Sequence, residues 1–150
     1  MARLCSDEAL AAMTIWLEAG GEPQAGRVGV AEVIRNRMHR HGRTLAAILF
    51  QPWQFSCWNT DDPRRAHAMQ LEEDAPGVTE CLLAWKTARE GSTVVQGALY
   101  YLNPEVTVVL RAGTLPPWAT DPSDSSRLDE SLVTARIGRH AFLRERPRRG

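Results

Sequence analysis

The chain has 150 residues, with 18 basic side chains balanced by 18 acidic ones, which is the size of one ordinary domain able to bury roughly two-thirds of its unfolded surface. Balanced charge leaves no global field to recruit nucleic acid or a membrane surface, and no stretch approaches the roughly 18 apolar residues of a membrane span. Three cysteines, Cys5, Cys57 and Cys81, show no CxxC spacing, so neither a disulfide framework nor a zinc knuckle is signalled and a single disulfide stays open. One basic residue and then Asp7 and Glu8 precede any long apolar run; no secretory leader is read, and synthesis in the cytoplasm is expected.

The first predicted element starts at Ser6, an N-cap, with Asp7 and Glu8 suiting the positive end of the helix dipole. Leu10, Met13 and Leu17 recur at i, i+3 and i+7 and give this helix an apolar face. On a helical wheel Glu18 falls about 120° from the centre of that face, at the rim of the core. Gly20 and Gly21 can supply the positive φ that stops a helix, and Pro23 suits the first turn of the next. The backbone is therefore expected to bend just past Glu18.

The segment GRVGVAEVIRNRM places Val30, Val33, Ile34 and Arg37 at helical spacing, with glycines that permit close packing. Thr44 to Phe50 reads as a short capped helix stopped by Gln51-Pro52. QPWQFSCW is too aromatic and irregular for a surface helix. Val78, Cys81, Leu82 and Trp85 give a third amphipathic face that ends at Gly91. Ala98 to Leu102 and Val106 to Leu110 read as two strands around an Asn103-Pro104 turn, LPPWATDPSDSS as loop, and Leu132 to Leu143 as a strand with a bulge at Gly138. The expected fold class is α+β, helices first and a small antiparallel sheet in the second half, as one domain over residues 1–150 with a frayed basic tail over 144–150.

A carboxyl at a core rim loses part of its hydration, which favours the protonated form that a general acid needs. Glu18 is the candidate acid; a Glu near a helix C-terminus is otherwise a solvated surface residue. Gln54, Ser56 and Trp58, with Trp53, Phe55 and Asn59, mix rings and amides as a sugar-binding cleft does, the rings stacking on pyranose faces; the same rings could fill core beneath a loop. Tyr100 and Tyr101 lie on a strand and point to opposite faces, so one lines a cleft while the other packs. Asn103 is a candidate ligand whose default role is to make the turn. Asn36 reads as satisfying buried backbone. The four histidines, His39, His41, His67 and His140, form no HxxxH or HExxH pattern, so no metal or other cofactor is expected.

The strings WLEAGGEPQAGRVGVAEVIRNR, QPWQFSCW, GALYYLNP, PPW and ARIGRHAFL, in this order over Ile15 to Leu143, resemble the cell wall hydrolase family typified by the spore cortex-lytic enzyme SleB. The resemblance implies a lysozyme-like fold that cuts the glycan strand of peptidoglycan, with the catalytic glutamate on Glu18 and the second acidic residue of the motif on Glu22. The usual Arg stands here as Gly20, which changes how the turn is braced, and the usual Tyr after HxF is Leu143. For a second carboxylate, Glu22 and Glu32 are the nearby candidates; Glu22 otherwise caps the second helix, and Glu32 is one charge on a packed segment. Without one, the muramic acid C6 hydroxyl attacks its own anomeric carbon, so lytic transglycosylase is preferred over muramidase. A metal-dependent amidase and a noncatalytic peptidoglycan-binding module stay open as alternatives. The expected partner is peptidoglycan, met by a monomer without nucleic acid or membrane insertion. The expected setting is a phage endolysin, made in the host cytoplasm and released through a holin to the wall.

Overall fold

In the computed structural model, which describes residues 6–51 and 76–148, Ser6 starts the first helix as its sequence predicts. Ser6 is extended and its hydroxyl oxygen accepts from Ala9 N at 3.3 Å, so α1 runs Asp7–Ala19. Its buried stripe is Ala11, Ala12, Ile15 and Ala19, and the predicted face of Leu10, Met13 and Leu17 lies partly buried along the edge. Small side chains let α1 approach its neighbours closely, while the large ones seal the margin.

The bend after α1 does not use left-handed glycines. Gly20 is right-handed (φ −60°, ψ −31°) and Gly21 is absent from the glycines of positive φ. Instead, Arg27 donates to Gly20 O at 2.8 Å and Glu22 N donates to Ala19 O at 3.0 Å, so side chain and turn take over the helix's last carbonyls. Gly20 is needed for room: a Cβ there would lie 2.4 Å from Trp16 O.

Helix α2, Gln24–His41, begins directly after Pro23 and ends at left-handed Gly42. It buries Val30, Ala31, Val33 and Ile34, and Gly29 lets Phe142 approach so closely that a Cβ would sit 2.6 Å from its ring. Thr44 caps α3, Leu45–Leu49, and α4 spans Val78–Arg89 with Cys81 and Trp85 buried. These helices and Phe142 share one core.

The second half departs from its sequence reading in four places. Strand β1 is Tyr100–Leu102, but residues 104–110 form helix α5, Pro104–Leu110, because Asn103 accepts from Val106 N at 3.2 Å and Pro104 sits at the first helical position. That cap overrides the strand preference of its valines, none of which is buried. The presumed loop holds a small ribbon, β2 (Thr120–Asp121) against β3 (Asp124–Leu128), turned by Asp121 accepting from Ser123 N. Gly138 is no bulge: at φ +57° it opens the two-residue turn between β4 (Val133–Ile137) and β5 (His140–Leu143), and the register shift lies between Val133 and Ala135. The basic tail is tied down as far as Arg146, which donates to Thr120 O and Asp129, while Arg144 donates to Ser131 O.

The three-stranded sheet has the order β1-β5-β4, antiparallel, pairing Tyr101 with Phe142 and Ile137 with His140. Every residue of β5 is buried. Phe142 joins the helical core, and Leu143 joins a second cluster with Leu102, Leu115 and Leu132. The end of α1, the middle of α2 and the start of β1 thus converge beside β5.

Candidate active site

Glu18 projects from the last turn of α1 into a cleft of about 810 Å³ whose other walls are Arg37 of α2, Tyr100 and Tyr101 of β1, α5, Trp118 and His140. As the helical wheel predicts, Glu18 is half-buried. Its Oε1 is buried and meets no hydrogen-bond donor among the described residues. It is also the cleft's one carboxylate among those residues.

Two basic groups flank it. Arg37, nearly buried, donates through Nε to Leu99 O at 2.6 Å, and its guanidinium lies 5.3 Å from the Tyr100 ring centre. Burial draws the Arg37 pKa downward, and the nearby Tyr101, Tyr100 and Glu18 oppose that shift. His140 sits with its ring edge to Tyr101 at 5.2 Å and its Nδ1 3.6 Å from Glu22 Oε1. Desolvation lowers the His140 pKa, against the pull of Glu22 and Glu18, which favours the neutral ring.

The far wall is mostly apolar, with Thr107 and Arg111 interspersed. Tyr100 stacks on Trp118 with ring centres 4.8 Å apart, and Val106 and Leu110 of α5 lie exposed beside them. Flat rings and exposed apolar side chains opposite a carboxyl suit the faces of a sugar ring.

Of the residues singled out in the sequence, Glu18, Tyr100, Tyr101 and Asn103 meet in the cleft. Both tyrosines line it, contrary to the one-face expectation: β1 is an edge strand of its sheet, and all three of its residues border the cleft. Asn103 holds both roles, helix cap and cleft wall. Gln54, Ser56 and Trp58 lie outside the described residues, as do Trp53, Phe55, Asn59, Cys5, Cys57 and His67. Asn36 donates to Ala98 O, satisfying backbone as expected.

The two rival carboxylates are engaged elsewhere. Glu32 is fully buried on α2 and accepts from Ser92 Oγ at 2.6 Å and from Val94 N and Val95 N at 3.0 Å each. Glu22 does not cap α2; its Oε1 accepts from Arg139 N at 3.1 Å, fastening the α1–α2 turn to the β4–β5 hairpin. Its Oε2 would lie 2.7 Å from a Cβ at position 138, a close approach that Gly138 permits.

Sequence reasoning missed Arg37, Trp118 and His140 as cleft residues. Helical spacing puts Arg37 on a packed face, and the composition around Trp118 indicates a loop. A buried arginine among apolar neighbours was the available signal, since such a charge is kept only with partners. Among the described residues no group of three or more His, Cys, Asp or Glu side chains could hold a metal, and no helix is long and apolar enough to cross a membrane.

A family model described as Cell Wall Hydrolase matches residues 21–143, beginning just past Glu18. The spore cortex-lytic enzyme of Bacillus subtilis (strain 168) is 28% identical over 139 residues, covering 91% of this chain and 37% of that protein. The chain thus spans well under half the length of this curated relative. The crystal structure of the catalytic domain of the Bacillus cereus SleB protein superposes with a TM-score of 0.65 at 24% identity, over 92% of this chain and 89% of that one. The catalytic domain of the germination-specific lytic transglycosylase SleB from Bacillus anthracis gives a TM-score of 0.65 at 23% identity, over 92% and 93% of the two chains. Those likenesses give the fold, a lysozyme-like α+β domain. With most of its length inside the matched region, from the α1–α2 turn through β5, this chain belongs to the Cell Wall Hydrolase family.

Proposed function

We propose that this domain cleaves the glycan strand of peptidoglycan between N-acetylmuramic acid and N-acetylglucosamine as a lytic transglycosylase, with Glu18 as its acid and base. Glu18 gives its proton to the glycosidic oxygen as the anomeric C–O bond breaks and positive charge develops on the muramic ring. The resulting Glu18 carboxylate stands beside Arg37, a fixed cation that steadies it. Glu18 then takes the proton of the muramic C6 hydroxyl as that oxygen bonds to the anomeric carbon, closing a 1,6-anhydro ring. The apolar wall of Trp118, Tyr100 and α5 would hold the sugars.

The observation that carries this reading is the solitary carboxylate. Glycosidases that use water or a covalent intermediate pair two carboxyl groups about 5 to 9.5 Å apart across the sugar. Here Glu22 and Glu32 are committed to backbone and hydroxyl donors, and Glu18 alone faces the cleft among the described residues. The test is mass spectrometry of fragments released from purified peptidoglycan by the wild type and by Glu18→Gln. Anhydromuramyl ends from the wild type, with turnover lowered by about 10² to 10⁴ in the variant, are expected. Reducing muramic ends would mean that water attacks; released stem peptides alone would mean an amidase.

A further inference from the structure

The β4–β5 hairpin carries a second groove, of about 280 Å³, between Arg136, Arg139 and His140 on one side and Pro104 and Glu105 on the other. His140 also walls the main cleft, so groove and cleft meet at a single ring. Arg136 is already paired with Glu130. The Arg139 side chain makes no ion pair among the described residues. Its backbone is fixed, because Glu22 Oε1 accepts from Arg139 N at 3.1 Å and Gly138 opens the turn at φ +57°. A cation presented from a braced turn loses less freedom on meeting an anion than one on a loose loop.

A neutral pyranose has no use for such a cation. The glycan proposed as substrate is not bare: each muramic acid carries a lactyl ether that continues into a stem peptide with free carboxylates and a diamino acid. We infer that the groove beside His140 receives the stem peptide of the muramic acid held at Glu18, with the Arg139 guanidinium pairing a stem carboxylate. Glu105 lines the other side of the groove, where the ammonium of the diamino acid would complete a complementary pattern. The inference rests on the glycan-cleavage reading, since it names a part of that same substrate.

The test compares cleavage by the intact chain of two preparations of one peptidoglycan, one with its stem peptides and one stripped of them by an amidase, with the lactyl carboxylates so released capped as neutral methylamides. Wild type is expected to cut the peptide-bearing strands about fivefold faster at low substrate, the scale of one exposed charge pair. That preference should shrink in high salt. In Arg139→Glu the ratio of the two rates should fall to one or below, with thermal unfolding of the variant unchanged as the control for folding. A wild-type ratio of one, or a ratio that survives the substitution, overturns the inference while leaving glycan cleavage intact. Failure of the wild type to release glycan fragments from either preparation overturns the proposed function instead.

Discussion

Replacing Glu32 separates a structural carboxylate from a catalytic one. Glu32 is fully buried and serves three donors, the Ser92 hydroxyl and the Val94 and Val95 amides, which fold the chain after α4 back onto α2. Glu32→Ala leaves the Val95 amide unpaired in the core and the Ser92 hydroxyl and Val94 amide unpaired at its margin. At about 1 to 3 kcal/mol for each buried group left unmade, partly relieved by relaxation, the loss should be about 4 kcal/mol. In a domain of this size that lowers the melting temperature by about 8 to 16 °C. Glu32→Gln keeps an amide oxygen for one or two donors but turns an NH2 against another, so about 1 to 3 kcal/mol should be lost. Urea unfolding followed by circular dichroism measures both, alongside glycan cleavage at a temperature where each variant is folded. The folded Gln variant should retain most of its activity. A Glu32→Gln protein of wild-type stability and no activity would refute the argument, and with it the single-carboxylate mechanism.

Trp118→Ala removes the stacking partner of Tyr100 and an exposed ring of the cleft wall; KM for soluble glycan should rise about three- to tenfold with a smaller change in kcat, and the opposite split in steady-state kinetics would remove Trp118 from sugar binding. Burial pushes the Cys81 thiol from 9.0 up to about 11; because its folded pKa is raised, the stability it contributes is complete below about pH 9 and is lost as pH climbs toward 11. Between pH 8 and pH 10 wild type should lose about 1 kcal/mol more than Cys81→Ala, and parallel pH profiles of urea unfolding would contradict this. Gly29→Ala should destabilise by about 1 to 3 kcal/mol despite a gain of about 1 kcal/mol in helix propensity, because the new Cβ would sit 2.6 Å from the Phe142 ring. A raised melting temperature would show that Phe142 can move aside.

The sequence by itself determined helices α1 to α4 and the position of Glu18 at the rim of the core. Ser6, Thr44 and Gly91 bound their elements through local capping or through a left-handed φ of +105°, and Val30, Val33 and Ile34 bury as their spacing predicts. Such signals are legible because a helix satisfies its backbone within a few residues, so caps and periodicity lie close together in the chain. The helical wheel placed Glu18 at the core's rim for the same reason.

Only the tertiary structure decided what surrounds that carboxyl. Residues 106–110 read as a strand on their valines although the local Asn103 cap and Pro104 carried the opposing helix signal, and only packing makes that helix a wall of the cleft. Gly20 was expected to be left-handed, yet Arg27, seven residues on, caps the carbonyl and leaves glycine a steric task. Arg37, Trp118 and His140 lie far apart in sequence; Arg37 and His140 reach Glu18 through the packing of α2 and the pairing of β1 with β5, and Trp118 joins the opposite wall through its stack on Tyr100. Contacts that cross the chain are set by packing and by the satisfaction of buried polar groups, quantities that no window of sequence contains, and the cleft's chemistry is made of those contacts.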